Sequence, residues 1–283
     1  MTMKKRILTG VTSLSVAISM SFGFIFNSYA DNISDDEILQ IEYVPKTIEE
    51  QYSEYLNSGN ATPEGISVYE EKLKEYDAII NGTFELPSSM SRGIHAVGMS
   101  FYEQEKNYYC GPASVQQMYA YFKGTSNLPT QTQLASKDEG NTENPVGSKV
   151  KTLNTDYYDK YSLEKETAHF FALHYCKNFF DQAYLEAWRY GAYTNSTQLY
   201  ELIGTSIERD NPVLGHITGA TTSNWRYSTS GHYLVYRGYT DGDVLGEKIY
   251  ILDPWKQGHG ISNGSYSETA SRVYTVTDRI IYG

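Results

Sequence analysis

Cysteine is scarce: the 283-residue chain has two, Cys110 and Cys176. That excludes a multi-bridge disulfide framework. No C-x-x-C pair and no tight His/Cys cluster is present, which argues against structural zinc. Two thiols leave one disulfide, or one reactive and one buried thiol, and the local contexts below favour the second arrangement. Positive charge is also short, with 23 Lys and Arg against 34 Asp and Glu and a net charge of −11. An acidic protein repels phosphate backbones and anionic lipid, which argues against nucleic acid as a partner. Acidity also keeps an exported protein soluble. Beyond the N-terminus no apolar run is long enough to cross a bilayer, and no internal repeat is visible.

What the chain does have first is an address. Met1 to Arg6 is a basic head, Ile7 to Phe26 an uncharged and mostly apolar run, and Ser28-Tyr29-Ala30 places small residues before a cleavage point. Residues 1–30 therefore read as a secretory signal peptide. Thr9, Gly10, Thr12, Ser13, Ser15, Ser19, Ser21 and Gly23 dilute the run and weaken it as a permanent anchor. The mature protein is expected to be secreted or cell-surface associated, without stable membrane attachment. About 250 residues then remain, enough for one sizeable core. Tyrosine is abundant at 27 residues; its apolar body and polar tip suit a wet aromatic surface or groove.

Residues 31–94 read as an N-terminal helical region. A short helical pattern runs from Thr47 to Leu56. Thr62-Pro63-Glu64 supplies an N-cap, a first-turn proline and a first-turn acid. Ile66, Tyr69, Leu73, Tyr76 and Ile80 then share one face, and Asn81-Gly82 ends the helix. Pro87 to Gly93 looks like a linker. The region fits a propeptide over a cleft, a tether, or packed accessory helices; its amphipathic pattern needs only burial.

Residues 95–283 have a different texture. Helices are expected at Cys110–Phe122, Gln131–Lys137, near Val150–Leu153, over 164–189 (with Phe170, Leu173, Phe180 and Tyr184 inward) and at Thr197–Ile203. A Gly/Asn/Pro loop spans Gly140–Gly147. Strands are expected at Pro212–Ile217, His232–Tyr239, Lys248–Leu252 and Val273–Ile281, with Asp241-Gly242 in a loop. Helices first and antiparallel strands afterward make an α+β fold.

Four residues carry chemistry. Cys110, followed by Gly111-Pro112 and an amphipathic helix, sits at a helix N-terminus, where the positive end of the dipole stabilises thiolate. Gln104, six residues earlier, is a candidate side-chain donor to a developing oxyanion, beside the Cys110 backbone N–H. His232 follows Gly231 at the start of a strand, a rigid seat for a base. Asp253 ends the next strand in Leu252-Asp253-Pro254, where its carboxylate is expected to accept the His232 Nδ1–H. His216 is the runner-up base. Trp255 is placed to shield the His–Asp pair, or is plain core. Cys176, within His174-Tyr175-Cys176-Lys177, lacks both the preceding Gln and the following Gly-Pro and reads as a buried, inert thiol. His169, His174 and Cys176 lack a fourth ligand at a known metal spacing.

The run Gln104-x5-Cys110-Gly111-Pro112-Ala113-Ser114, then Gly231-His232-Tyr233, then Leu252-Asp253-Pro254, resembles the double-glycine (bacteriocin-processing) peptidase-like family. It resembles the stand-alone secreted bacterial type over roughly residues 95–283. The resemblance implies a papain-like cysteine peptidase fold, a helical half packed on an antiparallel β-sheet half with the cleft between. It implies Cys110 as nucleophile, His232 as base, Asp253 as orienter and Gln104 as oxyanion donor, acting on a peptide or protein substrate with no cofactor. There is no transporter domain, and residues 154–200 are longer and more aromatic than a minimal domain needs. A cell-wall peptide amidase or transpeptidase on the same scaffold, or a non-catalytic binding module, are the alternative functions. Nothing in the sequence sets the oligomeric state.

Overall fold

The computed structural model describes residues 46–59, 61–84, 93–107, 109–135, 185–240 and 246–283. The expected signal peptide, the loop at 140–147, the helices expected near 150–153 and over 164–184, Cys176 and Asp241-Gly242 lie outside these residues.

Thr47 starts α1 (Ile48–Asn57) with a full capping box: its side chain accepts the Glu50 N–H, and the Glu50 carboxylate accepts the Thr47 N–H. Thr62 caps α2 (Pro63–Ile80) by accepting the Gly65 N–H at 3.1 Å, with Pro63 in the first turn. The inner face of α2 closes on Ile79, which is 1% exposed, rather than on Ile80, which is 36% exposed. Ile48, Tyr69 and Ile79 join one hydrophobic cluster with Leu199 and Ile203 of α5 (Ser196–Glu208). Arg209, just past α5, pairs with Glu75 of α2 at 2.5 Å. Both N-terminal helices are therefore packed onto the core.

A seven-stranded antiparallel sheet carries the rest. Its main path runs β2 (Leu185–Trp188), β7 (Thr277–Tyr282), β3 (Val213–Ala220), β4 (Thr229–Thr240), β5 (Lys248–Leu252) and β6 (Ser265–Thr269). The long β4 is the spine. One edge pairs with β3 from Thr229 to Tyr236 and then with β1 (Ile94–Ala96) from Gly238 to Thr240; the other edge pairs with β5. Leu234 and Tyr236 of β4 enter the hydrophobic cluster with α5. Two helices, α3 (Cys110–Lys123) and the short α4 (Gln131–Ala135), pack together, and α3 lies against β4. The chain is thus α+β, as its element order implied.

Three local expectations are corrected. The helix drawn through residue 189 gives way to β2, because Leu185 and Ala187, both wholly buried, alternate on a strand paired with β7. Strand pairing here overrides local helix propensity. Residues 273–276 are helical: Thr269 caps α6 (Ala270–Val276) by accepting the Arg272 N–H, and Val273 and Val276 bury together three residues apart. His232 does not open its strand; β4 begins at Thr229, because Thr229 and Gly231 pair with Ala220 and Thr218 of β3. Tyrosine is used differently as well. Among the described residues, ten tyrosines, including Tyr109, Tyr193, Tyr236 and Tyr282, are buried, so many fill core volume rather than line a wet surface.

Gly238 is fixed by close approach. A Cβ there would lie 2.5 Å from the His95 carbonyl oxygen and 2.6 Å from the Ala96 Cβ. Gly238→Ala is expected to destabilise the fold by about 1–3 kcal/mol, as overpacking does, read as a lower guanidinium midpoint. An unchanged midpoint would show that β1 is not held as described.

Candidate active site

Cys110 is the first residue of α3 and is partly exposed. Tyr109 precedes it with no side-chain cap, so the Gly111 N–H of the first turn is left for the sulfur. The Gly111 N–H, and the Tyr233 N–H from β4, both hydrogen-bond to it. Burial pushes the thiol up, but the His232 hydrogen bond and charge, with these two N–H groups, bring it below its ordinary value.

His232 is 3% exposed and is the link of the site. Its Nε2 lies 2.9 Å from Asp253 Oδ1, and the ring hydrogen-bonds to Cys110. The expected Asp253–Nδ1 bond is corrected to Asp253–Nε2, which leaves Nδ1 as the ring nitrogen open to the sulfur. Burial disfavours the charged ring, but the Asp253 charge and hydrogen bond outweigh it and raise His232 to about 10. Trp255 lies 5.9 Å from the ring and Tyr227 packs against it edge-on at 5.7 Å. Both exclude water from the pair and so strengthen it.

Asp253 follows β5 and is fully buried. Burial alone would raise its carboxyl, yet the His232 charge and the hydrogen bonds from His232, Tyr227 and the Trp255 N–H lower it to about 2. His232 and the Trp255 N–H donate to Oδ1, and the hydroxyls of Tyr227 and Tyr266 donate to Oδ2 at 2.6 and 2.7 Å. The two tyrosines are functional neighbours that sequence reasoning missed. Tyr227 lies before β4 and Tyr266 in β6, and among so many tyrosines neither spacing nor context marks them. Gly264 supports the turn from below: its φ is +63°, its carbonyl accepts the Asp253 N–H, and a Cβ would lie 2.2 Å from Phe101 and 2.6 Å from the Asp253 carbonyl oxygen.

Gln104 comes to the same turn. Its main-chain N–H donates to the Pro254 carbonyl at 2.9 Å, and its side-chain Nε2 donates to the Lys106 carbonyl at 2.9 Å. His216 stands apart, with its own acid: Nδ1 lies 2.5 Å from Asp278 Oδ1, and the ring packs on Tyr233. Among the described residues, no three His, Cys, Asp or Glu side chains are grouped to hold a metal ion.

A cysteine at a helix N-terminus, bonded to a histidine that is bonded to a buried acid, is a side-chain set that recurs in cysteine peptidases. The chain belongs to the Peptidase_C39 like family, whose model matches residues 97–279, and it is a cysteine peptidase. Among solved structures it is similar to a recombinant stem bromelain precursor, with a TM-score of 0.33 and 10% identity over 83% of this chain and 98% of that one. No curated protein matches it.

The charged pair links stability to pH. His232, raised from 6.5 to about 10, contributes stability that is complete below pH 6.5 and lost as pH rises through about 10. Asp253, lowered from 3.8 to about 2, contributes stability that is complete above pH 3.8 and lost as pH falls through about 2. Unfolding free energy measured against pH is expected to be highest between these limits, and Asp253→Asn is expected to flatten both flanks. Flanks that persist unchanged in Asp253→Asn would contradict the pairing.

Proposed function

We propose that this protein is a secreted peptidase that cleaves peptide bonds through Cys110, His232 and Asp253 and an acyl-enzyme intermediate. The observation that carries the proposal is His232 bonded on one side to Cys110 and on the other to Asp253.

In this reaction the Cys110 thiolate attacks the peptide carbonyl carbon, and the carbonyl π electrons move onto oxygen. The Cys110 N–H and the Gln104 side chain hold that oxyanion; the Lys106 carbonyl takes one Nε2–H of Gln104 and leaves the second as the donor. As the tetrahedral intermediate collapses, the C–N bond breaks and His232 gives its Nδ1 proton to the departing amine. The neutral imidazole then takes a proton from water, whose oxygen attacks the thioester and releases the acid and the thiolate. Asp253 stays ionised throughout, holding the ring and balancing its charge.

Residues 1–30 serve as the export signal in this reading. The packing of Ile48, Tyr69 and Ile79 into the core supports residues 46–84 as accessory helices of the folded enzyme.

The test is digestion of a broad peptide library by the mature protein, with products read by mass spectrometry. Cys110→Ala is expected to abolish cleavage. His232→Ala is expected to reduce it by at least about 10²-fold, the lower end for loss of a general acid–base. Equal cleavage by the wild-type protein and Cys110→Ala would end the proposal.

A further inference from the structure

Residues 97–104, which lead to and include Gln104, form no helix or strand. Their main-chain polar groups must find partners elsewhere. Gln131, the first residue of α4, supplies one of them, for Glu103, and a second for Glu105 just beyond. It is 1% exposed. Its Oε1 accepts the Glu105 N–H at 2.8 Å, and its Nε2 donates to the Glu103 carbonyl at 2.8 Å and to Gln116 Oε1 at 3.1 Å. Gln116, from α3, is itself anchored by a 2.7 Å bond to the Pro129 carbonyl.

The two main-chain bonds of Gln131 fall on the residues immediately before and after Gln104. The Pro254 carbonyl holds the residue between them, by accepting the Gln104 N–H. The main chain around Gln104 is thereby held both by α4 and by the Asp253-Pro254 turn. The Gln131 amide spends both N–H groups and its oxygen in this way and has no further bond to offer a substrate as donor.

We infer that Gln131 is a positioning residue for acyl transfer: its buried amide sets the main chain on either side of Gln104 and so aims the oxyanion donor, an assignment that rests on the oxyanion role proposed for Gln104. Small displacements of a positioned group cost up to about 10²-fold in rate. Loss of an oxyanion donor outright costs about 10²–10³-fold.

Two reactions of Cys110 separate aiming from thiolate formation. Acylation by p-nitrophenyl acetate passes through a tetrahedral oxyanion as Sγ attacks the ester carbon and p-nitrophenolate leaves. Alkylation by iodoacetamide displaces iodide at carbon and forms no oxyanion. Both rates are measured at neutral pH on the full chain, with modification quantified at Cys110. Gln131→Met removes both main-chain bonds, and Gln131→Glu keeps the acceptor for Glu105 but sets an oxygen against the Glu103 carbonyl. Thermal unfolding verifies that each variant is folded, and the inference is judged on whichever folds.

Acylation is expected to fall roughly 10- to 10²-fold in the Gln131 variants with alkylation unchanged. In a Gln104→Ala background, where the donor is already gone, the same Gln131 substitution is expected to cost less than about threefold more, the signature of residues acting as one unit. If Gln104→Ala slows acylation while the Gln131 variants do not, or if the two losses multiply independently, Gln131 is not a positioning residue and the role of Gln104 stands. If Gln104→Ala itself acylates at the wild-type rate, the proposed oxyanion role fails and the inference falls with it.

Discussion

One buried hydrogen bond, between His232 and Asp253, governs the chemistry of the other groups. A carboxylate with no exposed surface is costly unless its oxygens are satisfied. Asp253 meets that condition with four donors, two on each oxygen. Once it is ionised, its charge overcomes the burial that would otherwise keep His232 neutral. The charged ring then holds the Cys110 thiol below its ordinary value. Removing one partner of such a pair leaves the other buried and uncompensated, a loss of about 3–5 kcal/mol. Direction runs from acid to ring to sulfur, so each group depends on the one deeper in the fold.

The scaffold explains why that order is stable. The acid is gripped by segments that converge from different parts of the chain: Tyr227 ahead of β4, Tyr266 in β6, the Trp255 N–H one step beyond Pro254, and Gly264 beneath the turn. His232 belongs to β4, which pairs with β3 and β1 on one edge and β5 on the other. Cys110 arrives on a separate element, α3, that packs against the same strand. Arg226 extends the support outward. It stacks over Tyr266 at 4.3 Å and pairs with Glu268 at 2.6 Å, which Arg272 also meets. The phenol that bonds Asp253 is thus itself held in place.

What the sequence made legible was local. Gly-Pro after Cys110 marks a helix start, and an apolar run ending in Asp253-Pro254 marks a strand end, so both elements could be drawn from their immediate neighbours. The strand through His232 was legible from its branched and aromatic residues, but its first three residues, Thr229 to Gly231, carry no such pattern and pair only because β3 lies beside them. The helix at 270–276 was hidden because Val273, Thr275 and Val276 favour strands by composition; the Thr269 cap and the buried spacing decide otherwise. Leu185-Glu186-Ala187 suits a helix locally and becomes a strand through pairing with β7. Which ring nitrogen faces the acid is a matter of three-dimensional placement and leaves no trace in spacing. Tyr227, Tyr266 and Gln131 are distant in sequence from the residues they hold, and their residue types are common here. Lys72 shows the same limit: it sits 4% exposed on α2 with its ammonium lowered to about 7, by burial first and by Arg209 next, at a position where the helical pattern gives only a polar residue.

The central claim is that a charged His232, held by Asp253, holds the Cys110 thiol below its ordinary value. Thiolate ultraviolet absorbance titrated against pH, as the difference between the protein and Cys110→Ser, tests this directly. The expected wild-type curve rises below the free-thiol value of about 8.5, and moves up toward that value in Asp253→Asn. A wild-type curve that rises only near about 8.5, and is the same in Asp253→Asn, would contradict it.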